Sequence, residues 1–172
     1  ETSGNPFFVG EVLAHLTESG ALVNDDGRWS AAVDLATVGL PEGVRDVVGQ
    51  RLSRLSPDTN AVLAVVAVNG RPIDLSLLRD AWDGSPEDTV TAIDEAVGAG
   101  LLVEETSRRS PHYSFSHALV RQTLLDELTS ARTLRIHARL AEVLATKAQD
   151  LPDRWLEAVH HAIEGAPLLG FA

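Results

Sequence analysis

The 172-residue chain has no cysteine, which excludes a disulfide framework and any thiolate metal site and is consistent with a reducing compartment. It has no Gly-x-x-x-x-Gly-Lys-Ser/Thr phosphate loop and no apolar run ending in acids that could hold magnesium, so the chain alone is expected to be no enzyme. Gly98-Ala-Gly100 reads as a helix end instead. No apolar run approaches the ~18 residues of a membrane span and no signal-peptide pattern is present, so a soluble cytoplasmic protein with no membrane partner is expected. The first residue, Glu1, is not methionine, and nothing near it resembles an initiating or targeting segment, so the sequence reads as an excerpt of something longer. Positive charge is scarce as well: 14 bases stand against 25 acids for a net charge of −11, and Lys147 is the only base that is not arginine. Such a balance repels a phosphate backbone unless bases cluster locally.

What is present is a 44% apolar composition, enough for one well-buried domain or a small domain with flanking helices. The most ordered stretch runs from Tyr113 to Leu125. Tyr113 and Phe115 alternate with Ser114 and Ser116 at the period of a half-buried strand, after which Leu119, Val120, Leu124 and Leu128 recur at helical spacing. This places His117 at a strand-to-helix junction, where a histidine can meet an anion. Leu101–Thr106 reads as a second strand, joined to the first by the hairpin-like Ser107-Arg-Arg-Ser-Pro111.

Three helices precede these strands. Ser56-Pro57 opens one to about Val68, Asp74 caps a short one to about Trp82, and Ser85-Pro86-Glu87-Asp88 opens a third ending at Gly100. Side-chain oxygens at the N-caps, proline at the first helical position and glycine at the end all fit. Three helices and a two-stranded wing make a winged-helix domain, with a core from about Ser56 to Thr129.

Around that core, Asn5-Pro6 opens a helix with the stripe Phe8, Val9, Val12, Leu13 and Leu16, stopped by Gly20. Ala21-Leu-Val23 and Arg28-Trp-Ser30 flank Asn24-Asp-Asp-Gly27, a hairpin signal. Residues 31–40 read as a connector. Pro41-Glu42 begins a helix with Val44, Val47, Val48, Leu52 and Leu55 on one face and Arg45, Arg51 and Arg54 on the other. Beyond the core, Ser130 is expected to cap a helix carrying Leu134, His137, Ala138, Ala141, Val143 and Leu144. Asp150-Leu-Pro-Asp153 turns into another from Arg154 to Glu164, ended by Gly165, and residues 166–172 have lost their pattern. Such a helix pair resembles the start of a helical-repeat array. The expected organisation of this mostly α chain is therefore 1–40 as a helix-hairpin unit, 41–129 as the winged helix and 130–172 as an α-helical region.

Chemistry-bearing residues are few. The helix that would read a DNA groove, about Pro86 to Ala99, carries Glu87, Asp88, Asp94 and Glu95 and no base, the wrong sign for that task. Only Arg108-Arg109, with His112 nearby, could touch phosphate. Direct nucleic-acid binding is therefore the least favoured function. His160-His161 invites a metal, but neighbours on a helix point about 100° apart, and nothing in the sequence places His137 near them, so a structural or exposed role is favoured. Ser114 or Ser116 with His117 lacks a nucleophile elbow, an oxyanion glycine and an orienting carboxylate, which argues against hydrolase chemistry. Trp29, Trp82 and Trp155 read as core or interface anchors, because no bases interleave with them.

Three segments in order, Gly4-Asn-Pro-Phe-Phe8, Leu40-Pro-Glu-Gly-Val-Arg45 and Phe115-Ser-His-Ala-Leu-Val-Arg121, carry a resemblance. Over nearly its whole length the chain resembles the segment downstream of the nucleotide-binding core in bacterial STAND-type signal-transduction ATPases, particularly the large LuxR-type (LAL, maltose-regulator-like) transcriptional regulators and their adenylate-cyclase-linked relatives. The resemblance implies that residues 1–40 end the helical lid of the ATPase, that Gly4, Asn5 and Pro6 lie beside the base of ADP or ATP, and that His117 donates a hydrogen bond to a terminal phosphate. A phosphate there would favour protonated imidazole. Arg121, one turn further, would add a charge-assisted contact. The nucleotide would bind only in a longer parent containing the upstream core, with none expected on this chain alone. The implied function is non-catalytic: coupling nucleotide state to domain rearrangement in transcription regulation, with the ATPase core and a downstream helical sensor as partners and oligomerisation of the parent as an open possibility. The alternative from a different class is a protein-interaction module without a nucleotide role.

Overall fold

In the computed structural model, the described residues are 9–10, 13, 16–17, 20, 22–25, 28–31, 44–106, 110–148 and 154–169. The chain divides into two compact units, Glu1–Arg54 and Leu55–Ala172. The described part is mostly helical with two small antiparallel sheets.

In the first unit, Val9, Gly10, Leu13, Leu16 and Thr17 are helical and Leu16 is buried. Gly20 stops this segment as expected: it takes φ +72° and its N–H donates to the Thr17 carbonyl at 3.0 Å. Strands β1 (Leu22–Asp25) and β2 (Arg28–Ala31) pair antiparallel, with Leu22 opposite Ala31 and Asp25 opposite Arg28. The pairing takes in Asn24 and Asp25, which the sequence places in the connection between the strands. Helix α1 (Val44–Leu52) buries Val48 and Leu52, as its stripe predicts. The expected helix openings at Asn5-Pro6 and Pro41-Glu42, and the connector 32–40, lie outside the described residues.

The second unit is built around helix α2 (Pro57–Asn69), in which every residue from Val62 to Val68 is buried. A helix apolar on all sides needs neighbours on all sides, and α2 is packed by α3 (Leu75–Ala81), α4 (Pro86–Gly98), α5 (Ala118–Glu127) and α6 (Ser130–Lys147). Ser56 caps α2 with its hydroxyl on the Thr59 N–H at 3.1 Å, Asp74 caps α3 through the Leu77 N–H at 2.9 Å, and Ser85 and Asp88 form a capping box on α4. These are the three starts expected from sequence.

The sheet is larger than expected. Strands β4 (Leu102–Thr106) and β5 (Pro111–Phe115) pair antiparallel as the alternation predicts, but β3 (Ile73–Asp74) adds to the other edge of β5, giving the order β3-β5-β4. A two-residue strand has no period to detect, and it forms because Ile73 and Tyr113, paired across the ladder, are both buried. Two further corrections concern the C-terminal part. Thr129, not Ser130, caps α6, accepting from the Arg132 N–H at 3.3 Å. After α7 (Arg154–Glu164), residues Ala166–Leu169 form a further helical turn, α8, where no pattern was expected. Helices α6 and α7 run antiparallel: His137 meets His161, while Ala141 and Ala145 share an apolar hollow with Trp155 and Ala158.

Candidate functional site

The strand-to-helix junction is held from both sides. The Ser116 N–H donates to Leu101 O at 3.0 Å and its hydroxyl to Gly100 O at 2.8 Å, tying the end of β5 to the start of β4. His117 then adopts extended backbone, φ −149° and ψ 140°, and serves as the N-cap of α5: its Nδ1 accepts the Leu119 N–H at 3.3 Å. An imidazole here replaces the usual hydroxyl or carboxylate cap. Because Nδ1 accepts, the hydrogen of the neutral ring sits on Nε2.

Arg121 lies one turn along α5. Its Nε donates to the Ala67 carbonyl at 2.8 Å, so a guanidinium closes one of the last carbonyls of α2, where the helix dipole favours a cation. Arg121 also lines a cleft with Asn69, Gly70, Arg71, Glu157, His160 and His161. Of the five residues expected to meet nucleotide, His117 and Arg121 are therefore placed on the first turns of α5, with local structural work of their own. Gly4, Asn5 and Pro6 lie outside the described residues.

A cluster the sequence could not assemble stands at the same cleft. His137 of α6 and His161 of α7 approach with 2.8 Å between their Nδ1 atoms, and His160 joins them with ring centroids 6.0 Å from His137 and 5.0 Å from His161. One candidate ligand nitrogen from each lies within 4.8 Å of the others. The residues grade from buried His161 through half-buried His137 to exposed His160. Burial, reinforced by the charges of His137, His160 and Arg71, pushes the His161 imidazole down to about 4. Burial also lowers His137, against the opposing pull of Glu164. The contact rests on Gly165, where a Cβ would come within 2.6 Å of the Ala138 backbone nitrogen, so only glycine lets α7 end this close to α6. Gly165 was legible as a helix terminator, but its role as a spacer was not.

The acids of α4 divide into two kinds. Glu95 turns onto the start of α2, accepting the Ser56 N–H at 3.2 Å, the Ser56 hydroxyl at 2.8 Å and the Thr59 hydroxyl. The Thr59 and Ser56 hydrogen bonds hold its carboxyl below the usual range. Asp88 belongs to the capping box, whereas Glu87 and Asp94 are exposed. His112 is spoken for locally, its Nδ1 lying 3.1 Å from Ser110 O, and Arg108-Arg109 lie outside the described residues. Trp82 donates to the Thr89 hydroxyl at 2.8 Å, as an anchor should, but Trp29 and Trp155 are exposed, so neither is a core residue.

Among the described residues no helix is long and apolar enough to cross a membrane. No protein-family model matches the chain, and no curated protein or solved structure matches it.

Proposed function

We propose that the core from Ser56 to Thr129 is a winged-helix domain acting as a regulatory, non-catalytic segment of a STAND-type ATPase, and that α6–α8 begin a helical array beside it. The observation that carries the reading is the order of elements: helix, strand, two helices, then two strands, with the last strand lying between the other two in the sheet. That order supports the winged-helix reading. Its third helix, α4, presents Glu87 and Asp94 to solvent and carries no base, which favours a domain that moves against a protein over one that enters a DNA groove.

In this reading the nucleotide belongs to a core upstream of the chain. His117 would donate a hydrogen bond to a terminal phosphate of ADP, so that the ADP state favours a closed arrangement and ATP or an inducer an open one. A switch of this kind works only through contacts that differ between its two states. Pro6 would lie against the base.

The test is the nucleotide retained by a longer protein that includes the ATPase core, compared between wild type and His117→Asn. Asparagine preserves the N-cap and removes the imidazole. ADP retained by the wild type and lost from the variant supports the switch, and equal retention removes His117 from it.

A second reading, an interaction module without nucleotide, is favoured by the outer face of α7, where Leu156 is 81% and Ile163 67% exposed beside exposed Trp155 and Val159. Contiguous apolar surface of this kind marks a contact face. Equal ADP retention in the test above would move this reading to first place.

A further inference from the structure

We propose that His137, His160 and His161 form a binding site for one divalent transition metal of the zinc class, three imidazoles from two helices leaving a fourth position open toward the cleft.

The donor set selects the metal class. Imidazole nitrogens suit zinc, copper and nickel, while magnesium and calcium prefer oxygen ligands. Three protein nitrogens with an open position is a known zinc arrangement. Zinc–nitrogen bonds of ~2.0–2.1 Å at tetrahedral angles put ligand atoms about 3.3 Å apart. The observed spacings bracket that value, from 2.8 Å between the Nδ1 atoms of His137 and His161 to the 4.8 Å that bounds the trio. Binding therefore requires His137 and His161 to open slightly and exposed His160 to close in, both by side-chain rotation. The hydrogen shared between the two Nδ1 atoms is what the metal would replace. It moves to Nε2 of the ring that carried it, both rings stay neutral and no net proton is released.

Two features make the site more than a coincidence of side chains. Gly165 fixes the spacing of α6 and α7 by backbone contact beside His137. His160 and His161 also line the cleft, which gives the ion a path in. The groups facing the cluster are of both signs. Arg71 is paired with Glu157 at 3.4 Å and Arg121 is engaged by Ala67 O, while Glu164 acts on His137 with negative charge. The inference does not depend on the nucleotide reading, since neither His117 nor any nucleotide enters it.

The experiment is titration of the metal-free chain with Zn²⁺ near neutral pH, followed by calorimetry and by thermal unfolding, with Co²⁺ as the spectroscopic probe. The expected result is one ion per chain, a raised Tm, and visible absorption of tetrahedral cobalt. His160→Ala is the informative variant, because an exposed side chain can be removed without disturbing the core. It should weaken Zn²⁺ binding by at least the roughly tenfold that even an outer-shell partner contributes, and His137→Ala should do the same, while His112→Ala binds as wild type. Absence of one-to-one binding would overturn the site, as would binding that His160→Ala leaves unchanged. Should His137→Ala fail to fold, the zinc-induced rise in Tm, present in wild type and absent from His160→Ala, decides alone.

Discussion

Arg154, the first residue of α7, donates from Nη2 to Oδ2 of Asp74 at 2.5 Å, while Oδ1 of the same carboxylate takes the Leu77 N–H at 2.9 Å and the Ser76 hydroxyl at 2.6 Å. One side chain thus caps α3 and fastens the C-terminal helices to the sheet-bearing domain. Burial opposes ionisation of Asp74, but the hydrogen bonds from Ser76, Leu77 and Arg154 outweigh it and hold the carboxyl below its ordinary value.

A carboxyl depressed on folding stabilises the protein above its unfolded value, and that contribution is lost as the pH falls below it. For Asp74 the loss begins below the ordinary value of 3.8. In acid titrations of Tm, Asp74→Asn should flatten this limb while keeping the cap. Arg154→Ala should cost roughly 1–3 kcal/mol at neutral pH, the penalty for depriving a buried acceptor of its donor. Urea unfolding measures it, and an unchanged midpoint would reduce the ion pair to a surface accident.

His161 makes the opposite kind of group act in the same direction. Its imidazole falls from 6.5 to about 4 on burial, so between those values the unfolded chain takes up a proton that the folded chain refuses. Stability should be complete above pH ~6.5 and decline as the pH falls toward 4, then level. His161→Phe should make that slope shallower, leaving the part that belongs to His137, which denaturant midpoints measured across the range would show.

Gly70 holds the left-handed C-cap of α2 at φ +72°, and a Cβ there would lie 2.9 Å from Nη2 of Arg121. Gly70→Ala combines backbone strain with displacement of the guanidinium from Ala67 O, and about 1–3 kcal/mol should be lost. Combining it with Arg121→Ala separates the two effects: a double variant that costs the full sum of the single ones would leave only the backbone component, and one that costs less would show the displacement.

Glu95→Ala should lower Tm, because the N–H and hydroxyl of Ser56 and the hydroxyl of Thr59 lose their acceptor at the start of the central helix. Asp94→Ala, one residue away and exposed, should leave Tm unchanged. Equal effects would mean that general charge on α4, not this contact, is what matters.

Much of the architecture was legible because it is local. Ser56-Pro57, Asp74 and Ser85-Pro86 announce helix starts by satisfying N–H groups within three residues, and Tyr113-Ser-Phe-Ser116 announces a strand by alternation; all are properties of neighbours in the chain. The junction position of His117 follows from the same signals, though its capping bond does not, since histidine rarely takes that place.

Tertiary structure alone decided the rest, because the partners lie far apart in sequence and no period connects them. Ile73-Asp74 becomes a strand only when Tyr113-His112 lies alongside, and Glu95 becomes a cap only when α4 crosses the start of α2. Helix geometry keeps His160 and His161 apart on their own helix; α6 supplies His137 as the third ring because Gly165 has no side chain to hold it away. Sequence determined which segments could be helix or strand, through forces acting over one or two turns. Packing, which depends on volumes and contacts between distant segments, determined which side chains meet.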